Sequence, residues 1–138
     1  MKPAELIDYC LTFKGSYLDF PFGEQCACIR VGKTDNRKGR IFAQVFKLNE
    51  TYMVTFNCDV MTGNFYKQMF PDVILPAYHC PEALRQYAYT LPVDGVSQEV
   101  MKEMAVSSYV YALKKLPKYI SRNITCLLYT SDAADDLT

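Results

Sequence analysis

Several things are missing from this chain of 138 residues. It has no tryptophan and one histidine, His79. No apolar run approaches the roughly 20 residues that a membrane-spanning helix needs. The opening Met1-Lys2-Pro3-Ala4-Glu5 leads into an acid-containing helix where a signal peptide has its apolar core. Both observations point to a cytoplasmic protein. There is no phosphate-cradling loop and no dinucleotide-binding glycine fingerprint. No Gly-x-Ser-x-Gly elbow gives His79 a nucleophile, and no paired carboxylates are spaced for acid–base work. An enzyme is therefore the less favoured class, and neither a cofactor nor a metal is expected. Repeats, low-complexity stretches and internal linkers are absent as well.

What is present is a globular composition. Half the residues are hydrophobic and 14% are aromatic, a balance that disfavours disorder. One domain of this size hides roughly two-thirds of its unfolded surface. Residues 126–138, from Cys126 to Thr138, stand apart: they resemble the translation of a sequencing-library adapter joined in frame, so the domain is expected to occupy residues 1–125. That tail holds three aspartates and no bases. Without it the balance of 15 basic and 15 acidic residues becomes 15 and 12, which is mildly basic. It also removes Cys126 and leaves Cys10, Cys26, Cys28, Cys58 and Cys80, an odd set that favours reduced thiols over a disulfide framework.

The patterning predicts an α+β domain. Residues 3–13 read as a helix, with Pro3 in its first turn and Leu6, Cys10 and Phe13 at helical spacing. Asp19-Phe20-Pro21-Phe22-Gly23 reads as a turn with two aromatic anchors. Three strand-like runs follow at 26–31, 41–48 and 52–57, rich in alternating, β-branched and aromatic residues. In the first, Cys26, Cys28 and Arg30 fall on one face and Ala27, Ile29 and Val31 on the other. Short links favour an antiparallel meander. Asp59 is a good N-cap for a helix to about residue 70, with Met61, Phe65 and Met69 expected on its buried side; Gly63 weakens it by about 1 kcal/mol relative to alanine. An extended piece at 73–78 and an aromatic strand at 86–91 precede the turn Asp94-Gly95. Ser97 caps a final helix over about 98–116, packed through Met101, Met104, Ala105, Ser108 and Ala112 and ended by Pro117. The expected order is α-β-β-β-α-β-β-α, with helices covering one face of an antiparallel sheet.

These pieces resemble the MmcQ/YjbR family of small bacterial proteins. The resemblance rests on residues 5–10 (Glu-Leu-Ile-Asp-Tyr-Cys), on Asp19-Phe20-Pro21-Phe22-Gly23, on Ile41-Phe42-Ala43, on Phe56-Asn57-Cys58-Asp59 and on Pro76-Ala77-Tyr78-His79. Asp94-Gly95, Ser108-Tyr109 and Leu116-Pro117-Lys118 complete it, so that it spans about residues 3–122. It implies a CyaY-like fold, likened to a double-wing DNA-binding architecture. Two departures stand out. The family has a lysine-containing stretch and a tryptophan soon after the histidine; here Cys80-Pro81-Glu82-Ala83-Leu84-Arg85 takes that place, with Tyr87 or Tyr89 standing in for the tryptophan. The 32–40 loop is also longer and more charged.

The basic loop is the main binding candidate. Lys33, Arg37, Lys38 and Arg40 crowd into eight residues beside Gly32 and Gly39 with only Asp35 opposing, a composition suited to phosphate contacts. Lys114, Lys115 and Lys118 offer a second patch at the end of the last helix. The plainer alternative is a solvated hairpin tip. A small-molecule or protein-partner pocket near Phe20, Phe22, Tyr78, His79 and Tyr87 is the competing function; the plainer reading of His79 is a histidine that orients a loop. Cys26 and Cys28 are too close in sequence for a zinc knuckle. A soft-metal site would require Cys58, His79 or Cys80 to converge on them, and buried thiols that pack as small hydrophobes are the favoured reading. The expectation is thus a non-enzymatic module that holds DNA weakly through phosphates.

Overall fold

The computed structural model describes residues 1–77 and 80–129. Five strands form one sheet in the order β1-β2-β3-β4-β5: β1 Ser16–Asp19, β2 Cys26–Val31, β3 Arg40–Leu48, β4 Thr51–Asn57 and β5 Ala88–Pro92. Every neighbouring pair is antiparallel, so the sheet is the predicted meander extended by one strand at each side. Among the described residues four α-helices accompany it: α1 Pro3–Leu11, α2 Val60–Met69, α3 Gln98–Lys115 and α4 Lys118–Tyr129. No helix among the described residues is long and apolar enough to cross a membrane.

The core lies between the helices and one face of the sheet. β2 contributes Ile29 and Val31, β3 Val45, β4 Val54 and Phe56, and β5 Tyr89 and Leu91; α1 adds Leu6 and Cys10, and α3 adds Met101, Met104, Ala105, Tyr109 and Ala112. Cross-strand alternation places these side chains on one side. Both predicted N-caps form: the Asp59 carboxylate accepts from the Thr62 N–H at 2.7 Å and the Ser97 hydroxyl from Val100 N–H at 3.2 Å.

A register shift between Ile29 and Arg30 leaves one extra residue on β3, a β-bulge at Phe42. The bulge turns Phe42 into the core, where its ring lies 5.4 Å from that of Tyr109 at an edge-to-face angle and 6.0 Å from that of Phe13. A bulge interrupts the ladder, and its carbonyls find other donors. Asn57 Nδ2 donates to the Ile41 carbonyl at 2.8 Å, and the Ser108 hydroxyl donates to the carbonyl of Phe42 while accepting the Asn57 N–H at 3.0 Å. Ser108, read from sequence as a packing residue, is therefore the buried polar link between α3 and the sheet.

Five expectations need correction. Residues 16–19 are a strand, β1, whose four residues are too few to show alternation beside the turn that follows. The extended piece at 73–78 pairs only through Leu75, which exchanges two backbone hydrogen bonds with Thr90; its end at Tyr78 lies outside the described residues. The aromatic strand starts at Ala88, because Glu82–Tyr87 coils into a 3₁₀ helix behind Pro81. The helix predicted at 98–116 does stop before Pro117, at Lys115, but it is not the last, since α4 follows at once and buries Ile120 and Ile124 in the core. Finally, Met61, Phe65 and Met69 are 83%, 54% and 57% exposed, and α2 packs instead through Gly63 and Tyr66. A β-carbon on Gly63 would sit 2.9 Å from Cys58 Sγ. The glycine lets the helix approach on its least bulky side, while Tyr66 lies 5.5 Å from the Tyr89 ring.

Candidate nucleic-acid interface

The 32–40 hairpin is pinned at its root and open at its tip. Gly32 takes a left-handed φ of 92° and lies so close to Leu116 that a β-carbon there would meet Leu116 Cδ1 at 2.6 Å. The hairpin root therefore rests against the end of α3. At the other side the Gly39 N–H donates to the Tyr17 hydroxyl at 2.7 Å, and its carbonyl accepts from Arg30 Nη1 at 2.8 Å. Between them a bridge joins Thr34 to Arg37.

Lys33, Arg37, Lys38 and Arg40 are all exposed, as the sequence reading anticipated for a projecting loop. Lys38 is partly offset by Asp19, 3.9 Å away, and Lys33 lies 5.6 Å from the centre of the Tyr17 ring. Arg37 and Arg40 make no ion pair among the described residues. Asp19 belongs mainly to Arg30, at 2.8 Å, and that hydrogen bond holds its carboxyl below the usual carboxylate range.

Lys114, Lys115 and Lys118 are exposed at the α3–α4 junction. Of these, Lys115 joins the hairpin: together with Arg40 it lines a cleft of about 370 Å³ whose other walls include Asn57, Leu84, Tyr87 and Tyr111. Lys115 Nζ lies 5.5 Å from the Tyr111 ring centre. Burial raises the Tyr111 phenol above its ordinary value, against a smaller opposing pull from Arg40. Tyr111 and Asn57 were not singled out as site residues from sequence. Tyr111 stands one helical turn before Lys115, and that spacing was the available signal.

The face of the sheet turned away from the helices carries a second, larger cleft of about 520 Å³, lined by Phe22, Cys26, Gln44, Phe46, Thr55 and Asn57 among others. The two clefts share Asn57 and Cys80, and among the described residues no carboxylate lines either one. Phe22 and Tyr87, expected to share a pocket, line different clefts, and Phe20 lines neither although it is exposed. Tyr78 and His79 lie outside the described residues.

The thiols divide between the two sides of the sheet. Cys26 and Cys28 share the face away from the helices, with their sulfurs 3.8 Å apart, and Cys80 lines the cleft beside Cys26. Cys10 and Cys58 sit in the core on the helix side. Burial pushes Cys10, Cys28 and Cys58 up to about 12, so each is held as a neutral thiol. Among the described residues no group of three or more His, Cys, Asp or Glu is placed to hold a metal ion.

The fold has solved counterparts. Protein DR2400 of Deinococcus radiodurans, described as a DUF419 domain, superimposes with a TM-score of 0.76 at 23% identity, over 89% of this chain and 90% of its own. A protein from Pseudomonas syringae does so at 0.63 and 15% identity, over 81% of this chain and 99% of its own. Likeness at such identities speaks for the shared fold alone. No curated protein matches the chain. The sequence model that does match covers residues 11–110, from the end of α1 through most of α3, and by that match the chain is a member of the YjbR family.

Proposed function

We propose that this protein is a nucleic-acid-binding module that grips phosphates with the 32–40 hairpin and the end of α3. The observation that carries the reading is the cleft shared by Arg40 and Lys115. Two basic elements far apart in sequence meet there, and the described residues that line the cleft include no acid. Arg37 and Lys38 extend the positive character outward along the hairpin, while Lys114 and Lys118 flank it at the helix junction. Phosphate contacts of this kind draw affinity from released counterions and weaken as salt rises.

The test is binding of a short duplex oligonucleotide, followed by fluorescence anisotropy at about 50 mM and about 200 mM salt. Affinity is expected to fall steeply between the two. Replacing Lys33, Arg37, Lys38 and Arg40 together with serine should flatten the salt dependence and weaken binding at the lower salt. No binding at the lower salt, or a quadruple variant that binds as well as the parent, defeats the proposal.

A small-molecule reading is favoured by one separate observation, the larger cleft with Phe22, Phe46 and Leu48 on its walls. It calls for a ligand that raises the melting temperature regardless of salt.

A further inference from the structure

Resting on that reading, we propose that the cleft between the hairpin root and α3 receives an unpaired base, so that the preferred ligand is single-stranded nucleic acid. Two aromatic side chains, Tyr87 and Tyr111, line the same cleft as the two cations Arg40 and Lys115. Tyr87 is 38% exposed and Leu84 on the same wall 52%, leaving apolar and aromatic surface open to a flat ring. At about 370 Å³ the cleft is within the range of small-ligand sites and far too small for a duplex. A base in a duplex has both faces covered by its neighbours, whereas a base in a single strand offers one face to an aromatic ring. Arg40 sits where the cleft meets the hairpin, so a strand whose base enters the cleft can run its phosphates outward past Lys38 and Arg37. Tyr111, like any tyrosine near neutral pH, is uncharged and adds no negative charge beside the phosphates.

The chemistry divides the labour. The cations hold the backbone of any nucleic acid, paired or not, while the tyrosines act only on a base that is free. The experiment compares a single strand of about 15 thymidines with a duplex of the same length, at about 50 mM salt. The parent protein should hold the single strand about tenfold more tightly, within the range that stacking on one aromatic side chain supplies. Tyr87→Ser with Tyr111→Ser should remove that advantage, weakening the single strand several-fold more than the duplex. Tyr111 is partly buried, so a second variant guards against a misfolded one: Leu84→Glu puts a carboxylate into the cleft from an exposed position and should weaken the single strand more than the duplex. If single and double strands bind equally, or if these variants weaken both alike, the base-binding cleft is refuted while phosphate binding stands. If neither strand binds, phosphate binding falls and the cleft inference falls with it.

Discussion

On the helix side of the sheet, Phe42, Phe56, Tyr89 and Tyr109 are fully enclosed, their rings meeting neighbours at 5–6 Å in tilted and edge-to-face arrangements. On the other side the strands present Cys26, Gln44, Thr55 and Asn57 to an open cleft, and the hairpin beyond them carries its cations into water. Both faces come from the same strands, residue by alternate residue. The helix side holds the molecule together, and the other side with its basic rim is free to vary in chemistry. If that division is correct, substitutions should separate cleanly: core changes should lower stability, and rim changes should alter binding with little effect on folding.

The largest effect is expected at Phe42. It is the residue the bulge turns inward, and it touches both Phe13 and Tyr109. Phe42→Ala should cost about 3–5 kcal/mol in urea-induced unfolding. A loss below about 1 kcal/mol would mean that the bulge is not a structural anchor. Next comes Ser108→Ala, which leaves the Asn57 N–H and the Phe42 carbonyl without their shared partner. It should cost about 1–3 kcal/mol, more than its small change in volume explains. Ser108→Cys, similar in size but a weak donor, should recover little of the loss.

The smallest effect sharpens the other half of the comparison. Asp19 lies on the rim, and its hydrogen bond with Arg30 depresses its carboxyl pKa. A carboxyl depressed in the folded state stabilises that state above its unfolded value of about 3.9, and the contribution is lost as pH falls through the lower folded value. Asp19→Asn should therefore be slightly less stable than the parent at neutral pH, with the gap closing as pH drops below about 4. Because Asp19 also sits near Lys38, the variant should bind a duplex oligonucleotide somewhat more tightly at low salt. A large stability loss for this variant would contradict the separation of rim from core.

Much of this fold is legible in the chain. β2 falls where its alternation of thiols and branched residues places it, Asp59 and Ser97 cap their helices, and the antiparallel meander follows from the short links. These features depend on neighbours in sequence, and local sterics and hydrogen bonding suffice to specify them. The exposure of the basic hairpin was legible for the same reason, since four cations in so short a segment resist burial. The failures have a common origin. The row Met61, Phe65 and Met69 has the periodicity of a buried stripe, yet α2 packs on its glycine side because Cys58 and the 3₁₀ helix allow a closer approach there. Of the pocket proposed around His79, Phe22 and Tyr87 line two neighbouring clefts that share Asn57 and Cys80.

Sequence alone determined the three central strands and the helices α1, α2 and α3, which residues of β2 share a face, and that the cations of the 32–40 loop stay in water. Each of these is set by periodicity, capping or charge within a few residues. Tertiary structure decided the rest: that Ser108 ties α3 to a bulged strand, that Gly32 rests on Leu116, and that Arg40 meets Lys115 across a cleft walled by Tyr87 and Tyr111. Such meetings depend on how elements stack and cross, and the close packing of side chains between distant segments fixes that geometry.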